Sequence, residues 1–427
     1  MKSDKLALFG GPKAINKKFK KYNSIGLEEQ NAVKRVIENG VLSKYLGRWG
    51  DDFFGGPMVK KFEEDWKNKF KVKHAITVNS WTSGLICAIG AIDIEPGDEV
   101  ILPPWTMSAS AMAILHWNAI PVFADIDPIT FCVDPISIEK NISPYTKAIM
   151  VVDIGGQSAD MGEIIKIAEK YNLKIICDTA QSPGAKYYDR FAGTMADIGG
   201  YSLNYHKHIH TGEGGVLVTN NDVLANKMRL IRNHAESVVG DMKFDDLTNM
   251  IGYNFRLGEI ESAIGIEQLK KLDSFILSRQ LVAKKLYEGL ENLNGLILPK
   301  VRENCTHVYY MFFMSLDLDQ LKGAKRENIF KALIEEGLEG LSLSYTNIHL
   351  LPIFQKKQAY GKKGFPWNSE FSKRNINYNK GICPVSESLQ DDTYLGFQMC
   401  MFEMDEIEVE LMINAFQKVW KNLEFLK

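Results

Sequence analysis

Leu173-Lys174-Ile175-Ile176-Cys177-Asp178-Thr179-Ala180-Gln181-Ser182-Pro183-Gly184 sets an apolar run directly before a carboxylate and a turn. The run at 173–177 reads as a strand, and the helical spacing at 164–171 before it makes the pair a βα unit. Working outward, the same rhythm fills residues 74–220. Apolar 100–102 stops at Pro103-Pro104, 121–124 runs into Asp125 and Asp127, and 148–154 reaches Gly155-Gly156. Short apolar runs alternating with helical patterns predict an α/β domain built on a mainly parallel sheet. In such sheets ligands bind beyond the carboxyl ends of the strands, so the residues just after each run are the first place to seek a site.

Further along, 258–293 is amphipathic with helical offsets, and a break is expected near Asp273-Ser274. A β-rich run at 307–316, a polar loop at 356–367 and a last helix over 405–423 suit a smaller α+β domain. The chain's 427 residues predict two domains, 1–275 and 276–427. Lysine and arginine total 51 against 53 acidic residues, a net charge of −2, so neither nucleic acid nor an anionic membrane is an expected partner. No window approaches eighteen uninterrupted apolar residues, and the apolar stretch Leu6-Ala7-Leu8-Phe9 is too short for a signal peptide. Six cysteines without a CxxC pair read as reduced core residues, which fits a cytoplasmic protein.

Three constellations carry chemistry. Ser202-Leu203-Asn204-Tyr205-His206-Lys207-His208-Ile209-His210-Thr211-Gly212-Glu213-Gly214-Gly215 joins a lysine to a glycine-rich turn, with an apolar strand following at 216–218. A partly desolvated Lys207 would have a lowered pKa and serve as a Schiff-base nucleophile. Asp178 ends its strand 29 positions earlier and points into the ligand crevice, although most strand-terminal aspartates are caps or turn residues. Ser80-Trp81-Thr82-Ser83-Gly84 opens an apolar helix whose free first-turn N–H groups suit a phosphate, or are simply capped by Ser80 or Thr82. His206, His208 and His210 would share a face if they lay in a strand; only Glu213 nearby could complete a ligand set, so no metal is expected.

Together with Gly55-Gly56-Pro57, Gly97-Asp98-Glu99-Val100-Ile101, Pro121-Val122-Phe123-Ala124-Asp125-Ile126-Asp127, Gly252-Tyr253-Asn254-Phe255-Arg256-Leu257 and Pro384-Val385-Ser386-Glu387, these sites resemble the DegT/DnrJ/StrS family of pyridoxal-phosphate sugar aminotransferases, over nearly the whole chain. The resemblance implies a fold-type-I transferase: a large domain with a mainly parallel seven-stranded sheet between helices, plus a smaller C-terminal α+β domain. It implies Lys207 as the catalytic lysine that carries pyridoxal 5′-phosphate (PLP), Asp178 at the ring nitrogen and Gln181 beside the phenolic oxygen. Ser202, with Trp81 and Thr82, falls on the phosphate cradle. Asn254 matches an asparagine that reaches the neighbouring subunit's phosphate, so a homodimer with shared active sites is implied.

The family usually has glycine where Trp81 stands, which should crowd the site. In place of its Thr-aromatic step, whose ring stacks on the cofactor, this chain has Thr106-Met107 with Trp105 just before, and either Met107 or Trp105 could cover the ring. Residues 44–54 look inserted, and substrate differences are expected there. His307, Tyr345 and His349 fall where family members meet substrate, and Arg48 is a candidate for a carboxylate or diphosphate. The implied activity moves an amino group from an amino acid, L-glutamate, to a keto-sugar linked to a nucleotide, in amino- or deoxy-sugar biosynthesis for a surface polysaccharide or related glycan. The rivals are a PLP-dependent sugar dehydratase of the same family, in which histidine replaces the lysine, and a non-catalytic regulator that keeps the fold.

Overall fold

In a computed structural model, which describes residues 4–427, the apolar runs assemble into one seven-stranded sheet. Its order is His74–Val78, Gly215–Thr219, Ile198–Ser202, Lys174–Asp178, Thr146–Val152, Glu99–Leu102, Ile120–Phe123. Gly215–Thr219 runs antiparallel to both neighbours, and every other pairing is parallel. The α/β fold with a mainly parallel sheet is therefore as the sequence predicts. Residues 149–152 and 175–178 are buried without alternation because helices cover both faces of the sheet.

The two faces separate cleanly where strands alternate. Ile76, Val78 and Leu217 belong to a core with Leu85, Ala88 and Ile89 of the helix Trp81–Ala91. Ala75, Val216 and Val218 point the other way, onto Phe62, Trp66 and Phe70 of the helix Pro57–Phe70. Because the central strands run in the same direction, Val152, Asp178 and Ser202 all lie at carboxyl ends on one edge of the sheet. That edge is where the site forms.

A second sheet, with order Leu296–Ile297, Phe312–Leu316, Tyr394–Phe397, Leu341–Ser342, is antiparallel throughout. Its core takes residues from the helices Arg326–Glu335 and Glu406–Lys421, the latter started by a capping box between Asp405 and Glu408. Of the expected β-run at 307–316 only Phe312–Leu316 is a strand. The residues before it are tied to a turn instead, through Val308 N–H to Gly156 O (2.7 Å) and Met311 N–H to Gly155 O (2.9 Å).

The break expected near Asp273-Ser274 is absent: Glu259–Leu290 is one helix of 32 residues. Asp273 and Ser274 sit on its solvent face, where a polar pair leaves the backbone ladder intact, and Asp273 binds Lys69 at 2.9 Å. Leu269, Leu272 and Ile276 pack on the large-domain core, whereas Ala283, Leu286 and Leu290 pack in the small-domain core. We propose the 275/276 junction inside this helix as the domain limit. The N-terminal segment, read from sequence with the large domain, instead buries Leu6, Ile15 and Phe19 in the small-domain core. Glu336 draws it there by accepting from Ala7 N–H (2.8 Å) and Ala14 N–H (2.9 Å). The first three residues of that segment lie outside the described residues.

Candidate active site

A cavity of about 260 Å³ opens at the carboxyl edge of the large sheet. Its wall includes Trp81, Thr82, Met107, Asp178, Gln181, Ser202 and Lys207, so seven of the eight residues singled out from sequence meet there. Asp178, Gln181, Ser202 and Lys207 are buried, while Thr82 and Met107 are exposed. The eighth, Asn254, is exposed and stands outside this wall; its Oδ1 accepts from Arg256 Nε at 2.7 Å.

Lys207 is carried by a turn, residues 203–211, closed by Thr211 N–H to Leu203 O (3.0 Å) and Leu203 N–H to Gly214 O (2.9 Å). Gly212 and Gly214 have φ of 87° and 156°, a backbone that side chains with a Cβ rarely adopt. The ammonium lies 4.5 Å from the centroid of the Tyr310 ring. Burial pushes its pKa down to about 8, against the upward pull of Cys400 and Asp178. About a tenth of the amine is thus neutral at pH 7, compared with roughly one part in 3,000 at an ordinary lysine pKa.

Asp178 is the last residue of its strand and is 4% exposed. Burial raises its pKa, opposed by three hydrogen bonds and by the nearby charge of Lys207. Trp81 Nε1 donates to Oδ1 at 2.7 Å, Ala180 N–H to Oδ1 at 3.2 Å, and Ser110 Oγ to Oδ2 at 2.8 Å. The indole of Trp81, part of the cavity wall, lies against Gly84 and Gly200. A Cβ on Gly200 would stand 2.1 Å from the ring.

At the other end, Ser80 caps the helix Trp81–Ala91 by accepting from Ser83 N–H at 3.1 Å, and Gly84 N–H is taken by Ser80 O. The helix starts at Trp81, so its positive end, with the Ser80, Thr82 and Ser202 hydroxyls, faces the cavity. Gln181 is held from both sides: its Oε1 accepts from Gly155 N–H (2.8 Å) and its Nε2 donates to Tyr345 OH (2.9 Å). Met107, not Trp105, lines the cavity; Trp105 is fully buried and stacks on Tyr345, with ring centroids 5.7 Å apart.

The histidines separate. Residues 203–210 form turns rather than a strand, so the alternation does not put them on one face. His206 lines the cavity, with burial and the adjacent Lys207 charge pushing its pKa down to about 4. His208 Nε2 meets Val308 O at 2.8 Å, and His210 Nδ1 accepts from Gly212 N–H. His307 and His349 are buried outside the wall, His307 accepting from Tyr309 N–H and His349 bonded to Glu387 at 2.9 Å. Tyr345 is in the wall, and Arg48 is exposed away from it. Ser110 and Tyr310 carry more of the site than the sequence reading assigned them. The four-residue spacing of Thr106 and Ser110, whose hydroxyls meet at 3.2 Å, was the available signal for Ser110.

The family model of the DegT/DnrJ/EryC1/StrS aminotransferases matches residues 25–393. The chain belongs to the DegT/DnrJ/EryC1/StrS aminotransferase family. Spore coat polysaccharide biosynthesis protein SpsC of Bacillus subtilis is 33% identical over 86% of this chain and 92% of its own length. GDP-perosamine synthase of Caulobacter vibrioides is 36% identical over 70% of this chain and 78% of its own. The crystal structure of the aminotransferase from Psychrobacter cryohalolentis superposes with a TM-score of 0.79 at 27% identity, covering 95% of this chain and all of that one. As a DegT/DnrJ/EryC1/StrS enzyme with the fold-type-I architecture, the protein is a PLP-dependent sugar aminotransferase. The cavity suits the cofactor: a buried amine with a lowered pKa, a buried carboxylate with an acceptor direction to spare, and hydroxyls at a helix N-terminus converge on it.

Proposed function

We propose that the chain transfers an amino group from L-glutamate to a keto-sugar carried on a nucleotide, in the biosynthesis of an amino or deoxy sugar for a surface polysaccharide or related glycan. The convergence of Lys207 and Asp178 on one cavity carries this reading. Bound PLP supplies a ring that withdraws electrons from the amino donor's Cα when its nitrogen is protonated. Asp178 favours that proton, since a carboxylate near 4 Å contributes roughly 4 kcal/mol at an effective dielectric of about 20. Lys207 Nζ would hold the cofactor and would carry the proton taken from the donor's Cα. Trp81, Thr82 and Ser202 would hold the phosphate, Gln181 the phenolic oxygen, and Met107 would cover the ring.

The names of the relatives, a polysaccharide biosynthesis protein and a GDP-sugar synthase, support the sugar class and the nucleotide handle. The exposed Asn254 is available to a second subunit, which supports a homodimer with shared active sites. Six free cysteines, five of them buried, support a cytoplasmic enzyme. Residues 44–54, which look inserted, expose Leu46 and Trp49, and we expect acceptor differences there.

The test is a half-reaction. Glutamate should bleach the visible band of the loaded protein, and the correct keto-sugar nucleotide should restore it and yield an amino sugar by mass spectrometry. A deoxy product without nitrogen would favour dehydration instead. Lys207→Ala should lose both the band and turnover, and Asp178→Asn should lower kcat by about a hundredfold or more. Retained turnover in Lys207→Ala contradicts its role.

A further inference from the structure

Asp178 leaves little room for choice. A carboxylate has about four lone-pair directions. Oδ1 already accepts from Trp81 Nε1 and Ala180 N–H, and Oδ2 accepts from Ser110 Oγ. One acceptor direction remains, on Oδ2. The donor that fixes Oδ1 most tightly is the Trp81 indole at 2.7 Å, and glycines pack around it. A Cβ on Gly200 would meet Trp81 Cη2 at 2.1 Å, one on Gly84 would meet Cε3 at 2.6 Å, and one on Gly215 would come within 2.9 Å of the Trp81 backbone. Three glycines from two strands and a helix thus form a slot for one residue, and the indole N–H leaves that slot aimed at the carboxylate.

We infer that Trp81 is a positioning residue: its indole N–H holds Asp178 Oδ1, keeping the carboxylate charged and turning the single open direction of Oδ2 toward the cofactor's ring nitrogen. This rests on the reading that PLP lies between Lys207 and Asp178. A donor to Oδ1 stabilises the charged carboxylate, so removing it favours the neutral pair, in which the ring nitrogen has given up its proton. Trp81 therefore acts on the ring through Asp178, and its loss should move the ring's protonation more than a packing defect would.

The experiment loads the protein with PLP labelled with 15N in the ring and compares wild type with Trp81→Phe. A second variant, Trp81→benzothienylalanine introduced at that codon alone, keeps the ring shape and lacks the N–H, so it tests the hydrogen bond even where Trp81→Phe does not fold. Three readouts are taken: the PLP dissociation constant at pH 7, the ring-nitrogen chemical shift across pH, and the site of pyridoxyl labelling after borohydride reduction. Both variants should keep the label on Lys207, weaken PLP binding about tenfold, and shift the nitrogen signal from the protonated toward the unprotonated position. A benzothienylalanine variant with wild-type affinity and an unmoved nitrogen signal overturns the inference while leaving PLP on Lys207. Wild-type protein that takes up no PLP overturns the underlying reading and this inference with it.

Discussion

Lys207 burdens the PLP-free protein. Its pKa falls to about 8 in the fold because burial penalises the ammonium, against about 10.5 in an unfolded chain. Between those values the unfolded chain binds more protons, so stability rises with pH through the window from 8 to 10.5, and the full penalty is present below it. The shift corresponds to roughly 3 kcal/mol at pH 7. PLP-free Lys207→Met should accordingly melt higher than PLP-free wild type at pH 7, with the gap closing by pH 10, in thermal melts at both values. Equal melting at pH 7 would mean the amine is not held in the desolvated state described. His206, with its pKa pushed down to about 4, stays neutral beside this amine throughout that range.

The strand Ile198–Ser202 shows what the sequence conceals at the level of an element. Ile-Gly-Gly-Tyr-Ser has weak strand character, yet it sits in the middle of the sheet with all five residues buried. Both glycines are imposed by neighbours: a Cβ on Gly199 would stand 1.8 Å from Gly193 O, and one on Gly200 would strike the Trp81 ring. Gly200→Ala should destabilise the protein by about 1–3 kcal/mol, and pairing it with Trp81→Gly should recover part of that loss in a urea-based double-mutant cycle. Strict additivity would show that the slot is not what forces glycine there. The strands at 100–102, 148–152 and 174–177 were legible because burial on both faces writes them as continuous apolar runs. Asp178 was legible because it ends such a run, and Lys207 because a glycine-rich turn and the apolar run 216–218 follow it. The long helix was misjudged at Asp273-Ser274 because a polar pair on a solvent face resembles a break. Met107 against Trp105, and the contribution of Tyr310, depend on contacts between distant segments, which local pattern does not encode.

For the molecule as a whole, the N-terminal segment fastens the small domain rather than the large one. Glu336 is fully buried and accepts from Ala7 N–H, Ala14 N–H and Lys418 Nζ, the last at 2.8 Å. Glu336→Ala leaves two amides without their acceptor and the Lys418 ammonium with Pro12 O in place of a carboxylate, at a cost of roughly 3–5 kcal/mol. Its urea midpoint should fall, and limited proteolysis should begin near residues 7–20; a wild-type midpoint would show that the clamp contributes nothing. That one cofactor ring lies between the amine of residue 207 and the carboxylate of residue 178 is tested most directly by a crystal structure of the PLP-loaded protein. The prediction is unbroken density from Lys207 Nζ into the ring, with the ring nitrogen about 3 Å from Asp178 Oδ2. Density for the ring in another cavity, or a ring nitrogen turned away from Asp178, would contradict it.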